Sequence, residues 1–139
     1  MALIHGATGI VYFVHEWTGG FREDGIFRHP EIVNEVTSID QTFKALAPVL
    51  NNPNLPGRPS VSSPAISTMV KEKDNVLYVF ASSTQSADVN ASFALSKVGN
   101  ATAIVLGEDR TITISDGRLS DSFGGYGVHI YEIPLDMKH

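Results

Sequence analysis

The chain has 139 residues, enough for one ordinary domain with a sizeable buried core. Its 42% hydrophobic and 18% charged residues are a globular composition and exclude an intrinsically disordered segment. A net charge of −5 without a basic cluster argues against nucleic acid as a partner, and the lack of cysteine excludes disulfide frameworks and thiolate metal sites.

The apolar stretches are too short and interrupted to span a bilayer, so no membrane partner is expected. The opening Met1-Ala2-Leu3-Ile4-His5-Gly6 lacks the basic region of a secretory signal, and cysteine usage leaves the compartment open.

Residues 9–17, Gly-Ile-Val-Tyr-Phe-Val-His-Glu-Trp, are the first element. A run of apolar, β-branched and aromatic residues suits a parallel strand buried on both faces. It ends in His15-Glu16-Trp17, and polar or aromatic residues at the carboxyl end of such a strand are where α/β barrels place their chemistry. No βα unit precedes it to supply a neighbouring strand, so the chain reads as the end of something larger.

The loop Thr18-Gly19-Gly20-Phe21-Arg22-Glu23-Asp24-Gly25 leads to a helix opening at His29-Pro30-Glu31. Proline suits the first helical turn, and glutamate suits the positive end of the helix dipole. Ile32, Val33, Val36, Ile39, Phe43, Leu46, Ala47 and Leu50 then recur at helical spacing and form one apolar stripe. Pro48 falls inside the pattern and is expected to kink or end the helix near Ala47.

Residues 52–64 carry four prolines among Asn, Ser and Gly, which predicts a linker without regular structure. The organisation expected is therefore a strand-helix unit at 1–51, this linker, and a β-domain at 65–139.

From residue 65 the period changes to two. Val76-Leu77-Tyr78-Val79-Phe80-Ala81 follows a Lys73-Asp74-Asn75 turn, and Val89, Ala91, Phe93 and Leu95 alternate with polar neighbours. Residues 103–106, 111–114 and 127–133 give further short strands, and Asp116-Gly117 is a strong hairpin signal. Strands of this length and spacing predict a small antiparallel β-sandwich. The fold class is thus α+β.

At this point the residues resemble a known architecture. Residues 1–50, with Ala2-Leu3-Ile4-His5-Gly6-Ala7-Thr8-Gly9-Ile10-Val11-Tyr12-Phe13 and Ala45-Leu46-Ala47-Pro48-Val49-Leu50, resemble the last βα unit of retaining (β/α)8 glycoside hydrolases. The run from Gly107-Glu108-Asp109-Arg110 through Asp116-Gly117-Arg118-Leu119-Ser120-Asp121-Ser122-Phe123 to Gly127-Val128-His129-Ile130-Tyr131 resembles the C-terminal β-domain often fused to such barrels. The resemblance implies that residues 1–6 end helix seven, 7–17 are strand eight and 30–50 are helix eight. It also implies that the catalytic glutamates belong to earlier strands, commonly the fourth and seventh, so no catalytic residue is assigned here.

Trp17 is the leading substrate-binding candidate. A sugar presents an apolar C–H face that stacks on an indole while its hydroxyls take hydrogen bonds from the surroundings. In the resembling enzymes an aromatic residue at the end of strand eight floors the subsite of the cleaved sugar, and Trp17 matches that position. The ordinary alternative is a tryptophan packed beneath its loop. His15 and Glu16 flank it as further substrate-binding candidates. Glycosidases need two carboxyl groups, ~5 Å apart for retention or ~6.5–9.5 Å for inversion. Nothing in the spacing sets Glu23 or Asp24 at such a distance from Glu16, so a strand-end ion pair is the plainer reading of Glu16.

His15, Glu16 and His29 lack the spacing of a zinc site, and neither a metal nor any other cofactor is expected. In the β-part, Asp121, Phe123, Tyr126, His129 and Tyr131 form the densest polar-aromatic group. Period two puts His129 and Tyr131 on one face, and a structural role with His129 hydrogen-bonded inside is favoured over a sugar-binding surface.

The function expected is a non-catalytic C-terminal piece of a glycoside hydrolase with an accessory β-domain of structural role. The alternatives are a carbohydrate-binding module using Trp17 or the 123–131 aromatics, and a small glycosidase with a site shared between subunits. Carbohydrate is the partner class implied. The orphan strand and the helix stripe both need cover, which predicts that residues 7–14 join the sandwich or pair with a second copy in a homodimer.

Overall fold

A computed structural model describes residues 1–57 and 59–135. The chain divides into two compact units, Met1–Ala7 with Asn52–His139 and, separately, Thr8–Asn51.

Among the described residues the larger unit has eight strands: β1 (Ser60–Val61), β2 (Ile66–Lys73), β3 (Val76–Ser83), β4 (Val89–Ala94), β5 (Ala101–Val105), β6 (Arg110–Ile114), β7 (Arg118–Phe123) and β8 (Val128–Pro134). They form two sheets, three-stranded β1-β4-β7 and five-stranded β2-β3-β8-β5-β6, with every pairing antiparallel. With the helix of the smaller unit this is the α+β class with a β-sandwich that the alternating pattern predicted.

Alternation explains the core. Val79 and Ala81 of β3, Ala91 and Phe93 of β4, Leu119 and Phe123 of β7, and Tyr131 and Ile133 of β8 all point inward and are buried. Phe93 meets Phe123 at 6.1 Å and Tyr131 at 5.9 Å between ring centroids, so the aromatics of both sheets interlock. Strand β2 escaped the period-two reading because Ser67, Thr68, Lys71 and Glu72 blur its alternation. In the structure Met69 and Val70 are both buried although they point to opposite faces, so the strand is covered on each side.

Two turns show how short sequence signals act. Asp74 and Asn75 have φ of 51° and 63° and close the β2–β3 hairpin, in which Lys73 pairs with Val76. Asp116 and Gly117, with φ of 49° and 72°, also make a two-residue turn, closed by reciprocal hydrogen bonds between Ser115 and Arg118 at 3.1 and 2.9 Å. The strands that leave this turn belong to different sheets. The expected hairpin is therefore a corner that carries the chain from one layer to the other.

The linker expectation needs correction at its end. Ser60 and Val61 form β1 and pair with Ala94 and Phe93, and Leu55 N–H donates to the Val70 carbonyl at 3.0 Å. These two residues lie between Pro59 and Pro64 at the edge of the three-stranded sheet, with β4 as their neighbour, a place where flanking prolines do no harm.

In the smaller unit α1 (Pro30–Leu50) begins with proline in its first turn and Glu31 near its positive end. It continues past Ala47, so Pro48 does not end it. Proline removes one backbone bond, only two helical residues follow it, and the buried Leu46 and Val49 anchor the last turn. No helix among the described residues is long and apolar enough to cross a membrane.

The strand expected at 7–17 is not formed: residues 7–15 have no regular secondary structure, and Glu16 alone makes a bridge, to Arg22. A parallel strand is stable only when adjacent strands take its N–H and C=O groups. These residues have strand composition without a ladder, and Val11 and Phe13 are 96% and 74% exposed.

Candidate functional site

The His15-Glu16-Trp17 segment opens a closed loop. Glu16 N–H donates to the Arg22 carbonyl at 3.0 Å, and Arg22 N–H returns a bond to the Glu16 carbonyl at 2.9 Å. Gly19 and Gly20, at φ of 78° and 109°, turn the chain at the tip, where Gly20 N–H reaches the Trp17 carbonyl at 3.3 Å. Trp17 and Phe21 thereby come to neighbouring positions across the loop, with centroids 4.8 Å apart and planes tilted by 44°. Trp17 is 69% exposed, so it is not the packed tryptophan of the ordinary alternative.

Phe21 also lies 5.4 Å from the His15 ring in a stacked arrangement, and His15 lies 4.7 Å from Phe13. Four rings thus run in a ladder, Phe13, His15, Phe21, Trp17. The Nδ1 atom of His15 is buried in it without a hydrogen-bond partner. Glu16 turns another way. Its Oε2 faces Arg28 and His29, each at 3.8 Å. Gly25 permits this approach: a Cβ there would lie 2.4 Å from the Glu16 Cβ, so only glycine lets the short 3-10 turn Gly25–Arg28 pack against it. Of the three sequence candidates, His15 and Trp17 join one aromatic ladder, while the Glu16 carboxylate belongs to an ion cluster. Phe21 and Phe13 were missed; the Thr-Gly-Gly-Phe turn was the signal for the former.

The larger unit holds a second polar cluster. Arg110 on β6 donates from Nη1 and Nη2 to the Asp121 carboxylate at 3.1 and 2.8 Å, and from Nε to Glu108 at 2.8 Å. The Tyr131 hydroxyl donates to Asp121 Oδ2 at 2.9 Å, and the Ser122 N–H donates to Oδ1 at 2.9 Å. His129 bonds through Nδ1 to Glu108, and its Nε2 lies 3.2 Å from the Ser122 carbonyl. Its ring packs 4.6 Å from Phe123.

These contacts set the ionisation of the group. Burial alone would raise Asp121, but bonds from Arg110, Tyr131 and the Ser122 N–H outweigh it and hold the carboxyl below its ordinary range. The same opposition, with His129 and Arg110 as donors, holds Glu108 low. Burial and the Asp121 bond push the Tyr131 hydroxyl far above its usual value, so it stays a donor. The period-two reading correctly placed His129 and Tyr131 together and His129 in an interior network. It included Tyr126, which is 60% exposed at a turn, and omitted Glu108 and Arg110, which arrive from a different hairpin. Among the described residues no three His, Asp or Glu side chains converge as a metal site would require.

No protein-family model matches the chain, and no curated protein matches it. Solved structures do. A variant of AmyP in complex with maltotriose aligns with a TM-score of 0.51 at 10% identity, covering 63% of this chain. An Anoxybacillus α-amylase aligns at 0.52 and 11% identity over 70% of it. The likeness is one of fold. This chain spans only 17% and 21% of the lengths of those two proteins, about a fifth in each case.

Proposed function

We propose that this chain is a non-catalytic C-terminal portion of a glycoside hydrolase in which the β-sandwich has a structural role. The observation that carries the reading is the Glu108–Arg110–Asp121–His129–Tyr131 network. All four carboxylate oxygens in it accept hydrogen bonds from within the unit. A glycosidase acid must hold a proton at the working pH and release it to the leaving group. Carboxyls held below their ordinary range do the opposite, and their chemistry is that of a clamp between the sheets.

Turnover of a panel of aryl glycosides by the purified chain tests this reading, and none above the buffer rate is expected. Turnover that is abolished in Glu16→Gln would overturn it in favour of a small glycosidase with a site shared between subunits. Self-association into a two-fold dimer belongs to the same proposal. It would cover the exposed Val11, Phe13 and Phe27 of the smaller unit, and light scattering at micromolar concentration reads it.

The open face of Trp17 favours a second reading, a carbohydrate-binding module. Maltotriose bound to a protein of similar fold makes oligosaccharides the first ligands to try.

A further inference from the structure

We infer that residues 9–15 are an intermolecular pairing edge, on which the same segment of a second copy lies antiparallel with Tyr12 facing Tyr12 across the two-fold axis. The inference rests on the dimer reading above and adds to it the edge, the register and the residues that meet.

The segment is laid out as a strand. Residues 7–15 run without a turn or a bend. The Tyr12 hydroxyl donates to Asp40 Oδ1 on α1 at 3.0 Å, so Tyr12 faces the helix and, by the period of two, Ile10 and Val14 share its face. Val11, Phe13 and His15 share the opposite face, where the rings of Phe13 and His15 meet at 4.7 Å.

The backbone separates in the same way, because consecutive residues turn their N–H and C=O groups to opposite edges. On the even-numbered edge, Ile26 N–H donates to the Val14 carbonyl at 3.2 Å, and Glu16 exchanges its two bonds with Arg22. On the odd-numbered edge, Val11 and Phe13 have no backbone partner for N–H or C=O among the described residues. What fits such an edge is extended chain, and a second copy supplies it. Residues 7–14 hold neither a charged side chain nor a proline, the devices by which natural edges resist pairing, so two like segments meet without repulsion.

The register follows from the side chains. Pairing centred on Tyr12 sets Val11 of each copy against Phe13 of the other. These are the two most exposed residues of the segment, at 96% and 74%, and a β-branched residue opposite an aromatic one stabilises a ladder. A centre at Val11 would leave Phe13 opposite Gly9, and a centre at Phe13 would set Val11 opposite His15. Because the other edge is taken at Val14 and Glu16, the assembly closes at two copies.

The chain has no cysteine, so single introduced cysteines read the register. Two Tyr12 positions facing each other form a pair with Cα atoms about 4.5 Å apart, within disulfide reach. Ile10 would lie opposite Val14, which leaves the two Ile10 positions about 13 Å apart and beyond it. Light scattering of the whole chain should show a dimer at micromolar concentration. Tyr12→Cys should oxidise to a covalent dimer and Ile10→Cys should not. Val11→Pro removes one N–H of the edge and should raise the dimer Kd at least about tenfold, with an unchanged circular dichroism spectrum. Equal yields of covalent dimer from Ile10→Cys would overturn the register. An unchanged dimer in Val11→Pro, with no disulfide from Tyr12→Cys, would overturn the edge while leaving the two-fold dimer standing. Species that grow beyond two copies would overturn the closed pairing, and a monomer at every concentration would remove the dimer reading and the edge with it.

Discussion

Replacing Arg110 by methionine keeps most of the side-chain length and removes the one cation that bridges Glu108 and Asp121. Three charge-assisted bonds are lost, at 2.8, 2.8 and 3.1 Å. The Asp121 side chain is only 9% exposed, so its two bonds are weakly screened and contribute about 1.5–3 kcal/mol each by the usual scale. The Glu108 bond counts for less, because Glu108 and Arg110 are 29% and 33% exposed. Asp121 keeps Tyr131 and the Ser122 N–H as donors and is not wholly orphaned. The net loss is then about 3 kcal/mol, below the upper end of the ~3–5 kcal/mol seen when one partner of a buried pair is deleted. For a unit of this size that corresponds to a Tm lower by on the order of 15 °C. Urea denaturation followed by far-UV circular dichroism is the assay, since the single tryptophan belongs to the other unit. An Arg110→Met loss below about 1 kcal/mol would refute the reasoning. So would a double-mutant cycle with Asp121→Asn showing no coupling, because contacting charges should not be additive.

Two further outcomes follow from the same unit. The folded-state carboxyls of Glu108 and Asp121 are depressed, so their stabilisation is complete above their ordinary values near 4.5 and 3.8 and disappears as pH falls through the lower folded values; acid unfolding should be less steep in Asp121→Asn, and superimposable acid curves would contradict this. Gly117→Ala places a Cβ 2.7 Å from the Val98 carbonyl oxygen and 2.8 Å from that of Leu95 at a φ of 72°, and should cost about 2–4 kcal/mol in denaturant melts, whereas Gly99→Ala, with no neighbour within 4 Å, should be close to neutral.

A sandwich whose ionisable residues are engaged with one another is suited to holding shape. The residues of the proposed carbohydrate-binding reading lie in the loop after Val14, in the smaller unit. The two activities proposed for the chain are thus separable by substitution: Arg110→Met acts on the stability of the sandwich, and Trp17→Ala acts on ligand.

Much of the sandwich was legible from alternation alone. Val89, Ala91 and Phe93 alternate inward along β4, as do His129, Tyr131 and Ile133 along β8, because a strand buried on one face needs apolar residues only at every second position. The helix from Pro30 was equally legible from its stripe and its first turn. What the chain could not show locally was pairing. Residues 9–17 have the composition of a central strand, but composition cannot supply a ladder, and among the described residues they form only the Glu16–Arg22 bridge. Ser60 and Val61, set among prolines, become a strand because β4 lies beside them.

The candidate site divides along the same line. Trp17 was marked by residue type and position, and it stands exposed in the structure. Phe21 became its partner only when the Glu16–Arg22 bonds folded the loop back and brought residues four apart into ring contact. Asp121, His129 and Tyr131 were visible as a group because they lie within eleven residues of one another. Arg110 and Glu108 joined them only through the turn at Asp116-Gly117, which sends β6 and β7 into different sheets and sets Arg110 against Asp121. Local pattern determined which residues face the interior and where the chain turns. Tertiary structure decided which strands meet, and with them which charges and rings touch, because those contacts join segments whose separation along the chain carries no periodic signal.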